Sequence, residues 1–134
     1  MDIKQVNRTT IDQFRAGGAI DGMHRELILL LTTVGARTGR RHTAPMMFIR
    51  DADHLLVVAS NMGAPKHPDW YLNLAAHPEV TVEIGDEKYQ ALARALVGSD
   101  YERAWSMIKQ SYSFFADHER TAARTIPVVA LERT

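Results

Sequence analysis

The sequence of 134 residues contains no cysteine, which excludes disulfide bonds, thiolate nucleophiles and metal sites built on cysteine. It also lacks an excess of either charge, because 16 lysines and arginines balance 16 aspartates and glutamates. A neutral chain argues against a dedicated nucleic-acid-binding protein, since such proteins are usually basic. No apolar run approaches the roughly 18 residues of a membrane span, and the polar N-terminus lacks a signal-peptide core. These absences favour a cytoplasmic protein without a metal site.

What the chain does contain is the composition of an ordinary globular protein, with 46% hydrophobic and 24% charged residues. At this length we expect one domain, residues 1–134, with a sizeable core. The charges are not spread evenly. Between Gly35 and Arg50 the chain has four arginines, one histidine and no acidic residue. A local positive patch on a neutral protein predicts a small anionic ligand.

Apolar periodicity and turn residues predict three helices and six strands. The helices are expected at 2–15, 68–76 and 99–110, and the strands at 27–33, 42–50, 55–60, 80–84, 88–97 and 125–131. Pro45 indicates an edge strand or a bulge. Ser99 to Glu102 is typical of a capping box that opens a helix, and residues 112–123 are predicted to be a loop. The short links between strands imply antiparallel pairing and a small closed or half-closed barrel.

The first predicted helix, residues 2–15, is amphipathic, with Ile3, Val6, Ile11 and Phe14 near one face. It could dock on the core, cover a substrate pocket or lie peripherally on the inner face of the cell membrane. Docking on the core is favoured, because the polar face is not rich in lysine.

Two loops of different chemistry follow the first and third predicted strands. The first, residues 35–42, is basic and contains two glycines, and the second, residues 59–73, leads into the start of a helix. Glycine-flanked backbone N–H groups and the Thr38 hydroxyl could form an anion-binding nest around Arg37. Arg40 and Arg41 add planar guanidinium donors. Together the loops offer what an elongated anionic cofactor requires, although a basic loop can also be a solvated surface loop.

The segments Thr32–Gly39, Ala59–Pro65 and Pro68–Leu74, with His77–Val82 and Arg124–Pro127, resemble the deazaflavin-dependent nitroreductase and quinone reductase family. The likeness covers about residues 27–133. It implies a mainly β, α+β fold: a six-stranded antiparallel split β-barrel of the FMN-binding-like type with three flanking helices. It also implies coenzyme F420 as cofactor. The expected reaction is hydride transfer to a planar, electron-poor small molecule such as a quinone, an activated enone or a nitroaromatic compound.

The resemblance implies cofactor contacts from residues in four segments and one aromatic side chain: Ala36, Arg37, Thr38, His42, Thr43, Ala44, Pro45, Met46, Met47, Val58, Ala59, Ser60, Asn61, Asp69, Trp70, Tyr71, Leu72, Asn73 and Phe115. Many members carry lysine or arginine at the position of His42 and lysine at that of Asn61. Arg40 and Arg41 could compensate for these departures. Strand alternation should separate Met46 from Met47, with one facing the core and one the cofactor.

Catalytic roles are expected for Tyr112 and Ser60, either of which could donate a proton to the accepting oxygen or polarise it. Tyr112, Phe115 and His118 match the family's substrate-side wall, where related reductases often place tyrosines. These aromatic residues could instead seal the barrel mouth. Two other functions stay open: an FMN-dependent split-barrel oxidoreductase, and a non-catalytic protein that binds the deazaflavin or a lipid. The sequence allows a monomer or a homodimer.

Overall fold

The computed structural model describes residues 3–134, with the side chain of Ile3 left undescribed, so the expected helix start at Asp2 lies outside the described residues. The helices are α1 (Ile3–Arg15), α2 (Asp69–Ala76), α3 (Gly98–Ser111) and α4 (Phe114–Ala122). The strands are β1 (Ile28–Val34), β2 (Arg41–Met47), β3 (Ile49–Asp51), β4 (His54–Val58), β5 (Glu79–Ile84), β6 (Glu87–Ala95) and β7 (Val128–Arg133). Short 3₁₀ turns cover Arg25–Leu27 and Asn61–Gly63.

The seven strands form one sheet in the order β2-β1-β5-β6-β7-β4-β3, and every neighbouring pair is antiparallel. The two edge strands, β2 and β3, are consecutive in the chain and are separated by Phe48 alone. The sheet must therefore curl until its edges are adjacent, which makes a half-closed barrel. This confirms the predicted fold class, with seven strands rather than six. Pro45 lies on the edge strand β2, as its missing N–H requires.

The barrel interior is filled by alternate residues of the strands, because successive side chains of a strand face opposite sides of the sheet. The buried strand residues are Leu29, Leu31, Leu55, Val57, Val80, Val82, Ala91, Ala93, Val129 and Leu131, and they are joined by Phe48, between β2 and β3, and by Leu74 of α2. On β4, Leu56 points the other way, into a second cluster beneath α3 and α4. The apolar run in this strand is thus buried on both faces, as predicted.

Helix α1 is docked against the outer face of β1. Phe14 is buried there with Ile28 and Leu30. Arg15 closes the contact by a two-pronged ion pair with the buried Glu83 of β5, at 3.1 Å from Nε and 2.9 Å from Nη2. Docking on the core, the favoured interpretation of this helix, is confirmed. Peripheral membrane contact stays a prediction, and within residues 3–134 no helix is long and apolar enough to cross a bilayer.

Three predictions of local structure are wrong. The expected loop at 112–123 contains α4, whose Phe115 and Ala122 are buried seven residues apart, on one helical face. The expected strand at 42–50 is two strands, since Phe48 marks the corner where the chain leaves β1 and pairs next with β4. The capping box at Ser99 is absent, because α3 begins at Gly98 and its N-cap residue makes no side-chain cap hydrogen bond.

Candidate functional site

The two loops are joined by one buried amide, the side chain of Asn73 on α2. Its Oδ1 accepts a hydrogen bond from the Ala36 N–H at 3.0 Å, and its Nδ2 donates to Thr33 Oγ1 at 3.1 Å. Thr33 lies near the end of β1, Ala36 belongs to the first loop, and α2 follows the second loop. Asn73 therefore fixes the first loop, the end of β1 and α2 as one unit.

The first loop is a tight turn that glycine makes possible. The Gly35 N–H donates to the Arg40 carbonyl at 2.7 Å, and the Gly39 N–H donates to the Gly35 carbonyl at 3.0 Å. A Cβ on Gly35 would lie 2.7 Å from Thr38 Oγ1, so a larger residue cannot fit without a shift. Gly39 adopts a φ of 70°, which favours glycine. Thr38 Oγ1 accepts the Arg40 N–H at 3.2 Å, so this hydroxyl helps to shape the turn.

Three arginines of this loop, Arg37, Arg40 and Arg41, are exposed. In the part of the chain that the structure describes, their guanidinium groups form no ion pair or hydrogen bond. Arg94 and Arg103, by contrast, are paired with Glu132 and Asp51. The guanidinium donors of the first loop are thus available to an anionic ligand, whereas the backbone N–H groups of Gly35, Ala36, Gly39 and Arg40 already donate to acceptors within the protein. This arrangement fits a cofactor that carries phosphate and carboxylate groups.

The second loop presents backbone donors at its start. Ser60 has right-handed helical angles, and Asn61 and Met62 follow with φ of 49° and 54°. A right-handed residue followed by a left-handed one turns successive N–H groups toward one point, the arrangement called a nest. Across residues 3–134 nothing accepts from the N–H groups of Asn61 and Met62, and the hydroxyl of Ser60, a residue that is 7% exposed, has no hydrogen-bond partner. These groups can receive a carbonyl or an anion.

Arg124 organises the second loop from the side of α4, although the sequence alone predicts no role for it. Its guanidinium lies 3.1 Å from His67 Nδ1 and donates at 3.1–3.2 Å to four backbone carbonyls, those of Ala59, Ser60, Ala64 and Lys66. Burial lowers the pKa of His67, and the positive charge of Arg124 lowers it further. The neutral imidazole is therefore favoured, and it packs on the Tyr71 ring with centroids 4.7 Å apart.

Helix α4 packs directly on the second loop. A Cβ on Gly63, which has a φ of 83°, would overlap Thr121 Oγ1. Thr121 Oγ1 donates to the Gly63 carbonyl at 3.2 Å. The aromatic segment at the start of α4, which was predicted to be a loop, is thereby held beside the predicted cofactor-binding residues.

The structure brings together the three residues predicted to line the substrate side. The Phe115 ring centroid lies 6.5 Å from that of Tyr112 and 5.8 Å from that of His118. Phe115 is buried in the cluster beneath α3 and α4, whereas Tyr112 and His118 are half-buried. Among the described residues, nothing hydrogen-bonds the Tyr112 hydroxyl, and the buried His118 Nδ1 is also without a partner. Both groups retain hydrogen-bonding capacity, and His118 lies against Gly63 of the second loop.

The remaining predicted cofactor residues lie on β2, on the end of β4 and on α2. Met46 packs on the barrel interior and Met47 on the cluster beneath α3 and α4, so alternation separates them. That one of them faces the cofactor stays a prediction. Trp70 and Tyr71 also pack on the interior cluster. The others are His42, Asp69 and Leu72, which are exposed; Thr43, Ala44, Pro45 and Val58, which are half-buried; and Ala59, which is buried.

Two clefts lie elsewhere on the barrel. One, of about 330 Å³, is lined by Arg25, Glu26, Phe48, Arg50, Ile84 and Gly85. The other, of about 260 Å³, lies between α1 and the β5–β6 hairpin. Both are at the end of β1 opposite to the first loop, because Leu30 pairs with Glu83 and the first loop follows Val34. Neither is lined by a residue of the predicted site.

A half-closed antiparallel barrel with a cationic loop at one end defines a split-barrel protein that can hold a polyanionic cofactor. The family model of F420H(2)-dependent quinone reductase matches residues 5–133, and the chain belongs to this family.

The F420H(2)-dependent quinone reductase Rv1261c of Mycobacterium tuberculosis is 35% identical over 108 residues, which cover 78% of this chain and 72% of the relative. The solved F420-H2 dependent reductase FDR-A is 36% identical, with a TM-score of 0.72 over 83% of this chain and 100% of that one. A structure described as a domain-swapped dimer is 34% identical, with a TM-score of 0.74 over 96% of this chain and 98% of that one.

The family assignment confirms that coenzyme F420, rather than FMN, is the cofactor, and that the protein is a reductase rather than a binding protein. The residue assignments stay predictions.

Proposed function

We propose that the chain, as one deazaflavin-binding domain of residues 1–134, transfers a hydride from reduced coenzyme F420 to a quinone. Activated enones and nitroaromatic compounds are planar, electron-poor acceptors of the same kind. The observation that carries the proposal is the Asn73 amide, which ties the cationic first loop to α2 and so places it beside the second loop. The coenzyme, when bound, supplies a hydride from C5 of its reduced deazaflavin ring.

The first loop binds the anionic tail. Arg37, Arg40 and Arg41 provide fixed charge and forked donors, which suit phosphate and carboxylate groups. Arg37 lies between the two glycines and is the principal contact. Their lack of protein partners in the described chain supports this role, because a ligand need not displace an existing ion pair.

The second loop and α4 hold the reacting centre. Ser60 and the N–H groups of Asn61 and Met62 orient the cofactor ring. Tyr112 donates a proton to the accepting oxygen, or Ser60 polarises that oxygen, as negative charge develops on it. Phe115 and His118 form the wall against which the acceptor lies. Hydride transfer requires correct placement above all, so a site with one proton donor suffices.

The cytoplasm is the proposed location, and a homodimer is the proposed assembly. The relative described as a domain-swapped dimer supports the dimer over the monomer. Light scattering of the purified chain during size-exclusion chromatography measures the mass in solution, and a monomer at all concentrations would exclude this assembly.

Two assays on the purified chain test the proposed function. Titration with oxidised coenzyme F420, followed by its fluorescence, should give saturable binding, whereas FMN at equal concentration should bind much more weakly. The reduced coenzyme should then be reoxidised on addition of menadione, at a rate proportional to enzyme. Saturable binding without reoxidation by any of the three acceptor classes would contradict the catalytic proposal.

A further inference from the structure

We propose that Arg124 is a positioning residue of this reductase, which holds the second loop in the shape that the cofactor ring needs. This inference rests on the proposed function, because it assigns that site a residue that touches neither cofactor nor acceptor. Arg124 lies just after α4, behind the loop rather than in it.

The geometry is that of a clamp made by one guanidinium group. Its Nη2 lies within hydrogen-bond distance of the carbonyl oxygens of Ala59, Ser60 and Lys66, which share its two N–H groups, and its Nε donates to Ala64. These carbonyls come from both ends of the loop, so one side chain closes it. A guanidinium has five N–H donors in a fixed plane, whereas a lysine ammonium has three on a flexible stem. Only arginine can hold this many carbonyls in one arrangement.

The clamp explains the orientation of the backbone donors. Because the carbonyls of Ala59 and Ser60 are drawn toward Arg124, the following peptide groups turn and bring Asn61 and Met62 into the left-handed region. That conformation costs a non-glycine residue about 1–2 kcal/mol, so it needs a compensating contact. Loss of the guanidinium should release this backbone and disperse the N–H groups.

Arg124 also links the two sides of the site. Ala123 ends α4 with a φ of 53°, which directs the chain from the helix to Arg124. A few residues later, the Pro127 carbonyl accepts the Ala59 N–H at 3.0 Å. The segment that leads from α4 to β7 thus binds both backbone groups of Ala59, the residue that follows β4. Pro127 accepts its N–H, and Arg124 donates to its carbonyl. A shift of Arg124 would change the spacing between the Ser60 hydroxyl and the acceptor wall.

The pKa of His67 in the ligand-free protein depends on where the Arg124 guanidinium lies. Its Nδ1 lies 3.1 Å from Arg124 Nη1; burial is the larger cause that lowers the pKa of His67, and the positive charge of Arg124 lowers it further. In the described chain Arg124 forms no ion pair with a carboxylate, so no anion neutralises its charge. Removing that charge should raise the pKa of His67 in the cofactor-free protein.

The test compares Arg124→Gln and Arg124→Lys with Arg103→Gln, a matched control. Arg103 is a surface arginine on α3 that pairs with Asp51, so its replacement removes the same charge and an ion pair elsewhere. Three quantities are measured per folded molecule: the Kd for coenzyme F420, kcat and KM with menadione, and the pKa of His67 by NMR without cofactor.

We expect both Arg124 variants to lose about tenfold or more in cofactor affinity and in kcat, the factor that corresponds to about 1.4 kcal/mol. The pKa of His67 should rise in Arg124→Gln. Arg124→Lys, which keeps the charge but not the fork, should raise this pKa less while still losing affinity. Arg103→Gln should match the unsubstituted chain in all three quantities.

The proposal is overturned if a folded Arg124→Gln protein binds F420 and turns over within about twofold of the unsubstituted chain. It is also overturned if neither variant folds, because Arg124 would then be a determinant of stability. If the unsubstituted chain fails to bind F420, the proposed function fails instead. An unchanged His67 pKa in Arg124→Gln would show that the guanidinium does not lie beside His67 in solution, against the geometry on which the proposal rests.

Discussion

Replacement of Asn73 by alanine should destabilise the fold by about 2–3 kcal/mol and weaken cofactor binding. The substitution removes two hydrogen bonds, each worth about 1 kcal/mol net. It also leaves the Thr33 hydroxyl without a hydrogen-bond partner, because Thr33 is only 1% exposed and cannot bond to solvent water instead. The Ala36 N–H lies in an exposed loop, where water replaces the lost carbonyl at little cost. The structural loss therefore centres on the end of β1, and the functional loss on the freed first loop.

A double-mutant cycle with Thr33→Val separates these contributions, because valine keeps the shape of threonine and removes its hydroxyl. Urea unfolding of the two single variants and the double variant should give a coupling of about 1 kcal/mol between positions 33 and 73. Thr33→Val alone keeps the bond from Asn73 to Ala36, so it should leave F420 affinity close to that of the unsubstituted chain. A coupling near zero would refute the hydrogen bond. An Asn73→Ala protein with unchanged F420 affinity would refute the role of the amide in placing the first loop.

Arg37→Ala should weaken F420 binding about tenfold to hundredfold, the range for one lost hydrogen bond to a charged group, and added salt should shrink the difference; Lys88→Ala, which removes a cation at the opposite end of the barrel, is the control in the same fluorescence titration. Tyr112→Phe should lower kcat with menadione more than it changes F420 affinity, and equal losses of both would mean that the ring only packs. The hydrogen bond from the Trp105 indole is the largest cause that lowers the pKa of Glu119, followed by Lys109. Stability from Glu119 is thus present above the unfolded pKa of 4.5 and is lost as pH falls through the folded value, so Glu119→Gln should flatten the decline of urea midpoints in acid.

The sequence predicted those parts of the fold that depend on local patterns. The apolar run of β4 predicted burial on two faces, and Pro45 predicted an edge strand, because each property follows from a single segment. The predicted number of strands is wrong at Phe48, because the break there depends on the whole sheet and not on a local pattern. Its neighbours continue the alternation of a strand, and the break arises only because the sheet must close there, with the Phe48 N–H donating to the Leu27 carbonyl at 3.1 Å.

Helix α4 was missed although its signals are present in the sequence. Asp117 lies in the first turn and Arg120 in the last, which suits the helix dipole. The aromatic pair at its start suggested a pocket wall instead. Its end carries no glycine to signal a helix stop, since the residue in the left-handed cap conformation is Ala123. The correction changes the site, since a helix fixes His118 and Thr121 on one face whereas a loop would leave them independent.

The limit of sequence reasoning at the candidate site is clearest at Arg124. The basic first loop could be recognised because its function resides in side chains, and charge can be read directly from the sequence. The second loop depends on carbonyl and N–H groups that every residue carries, so no residue type reveals their orientation. Arg124 is distant in sequence from the loop it closes, and its partners contribute no distinctive side chain except His67. A residue that acts through backbone groups is therefore visible only once the fold has brought it to them, and variants of Arg124 that retain the charge but not the fork are the direct way to test it.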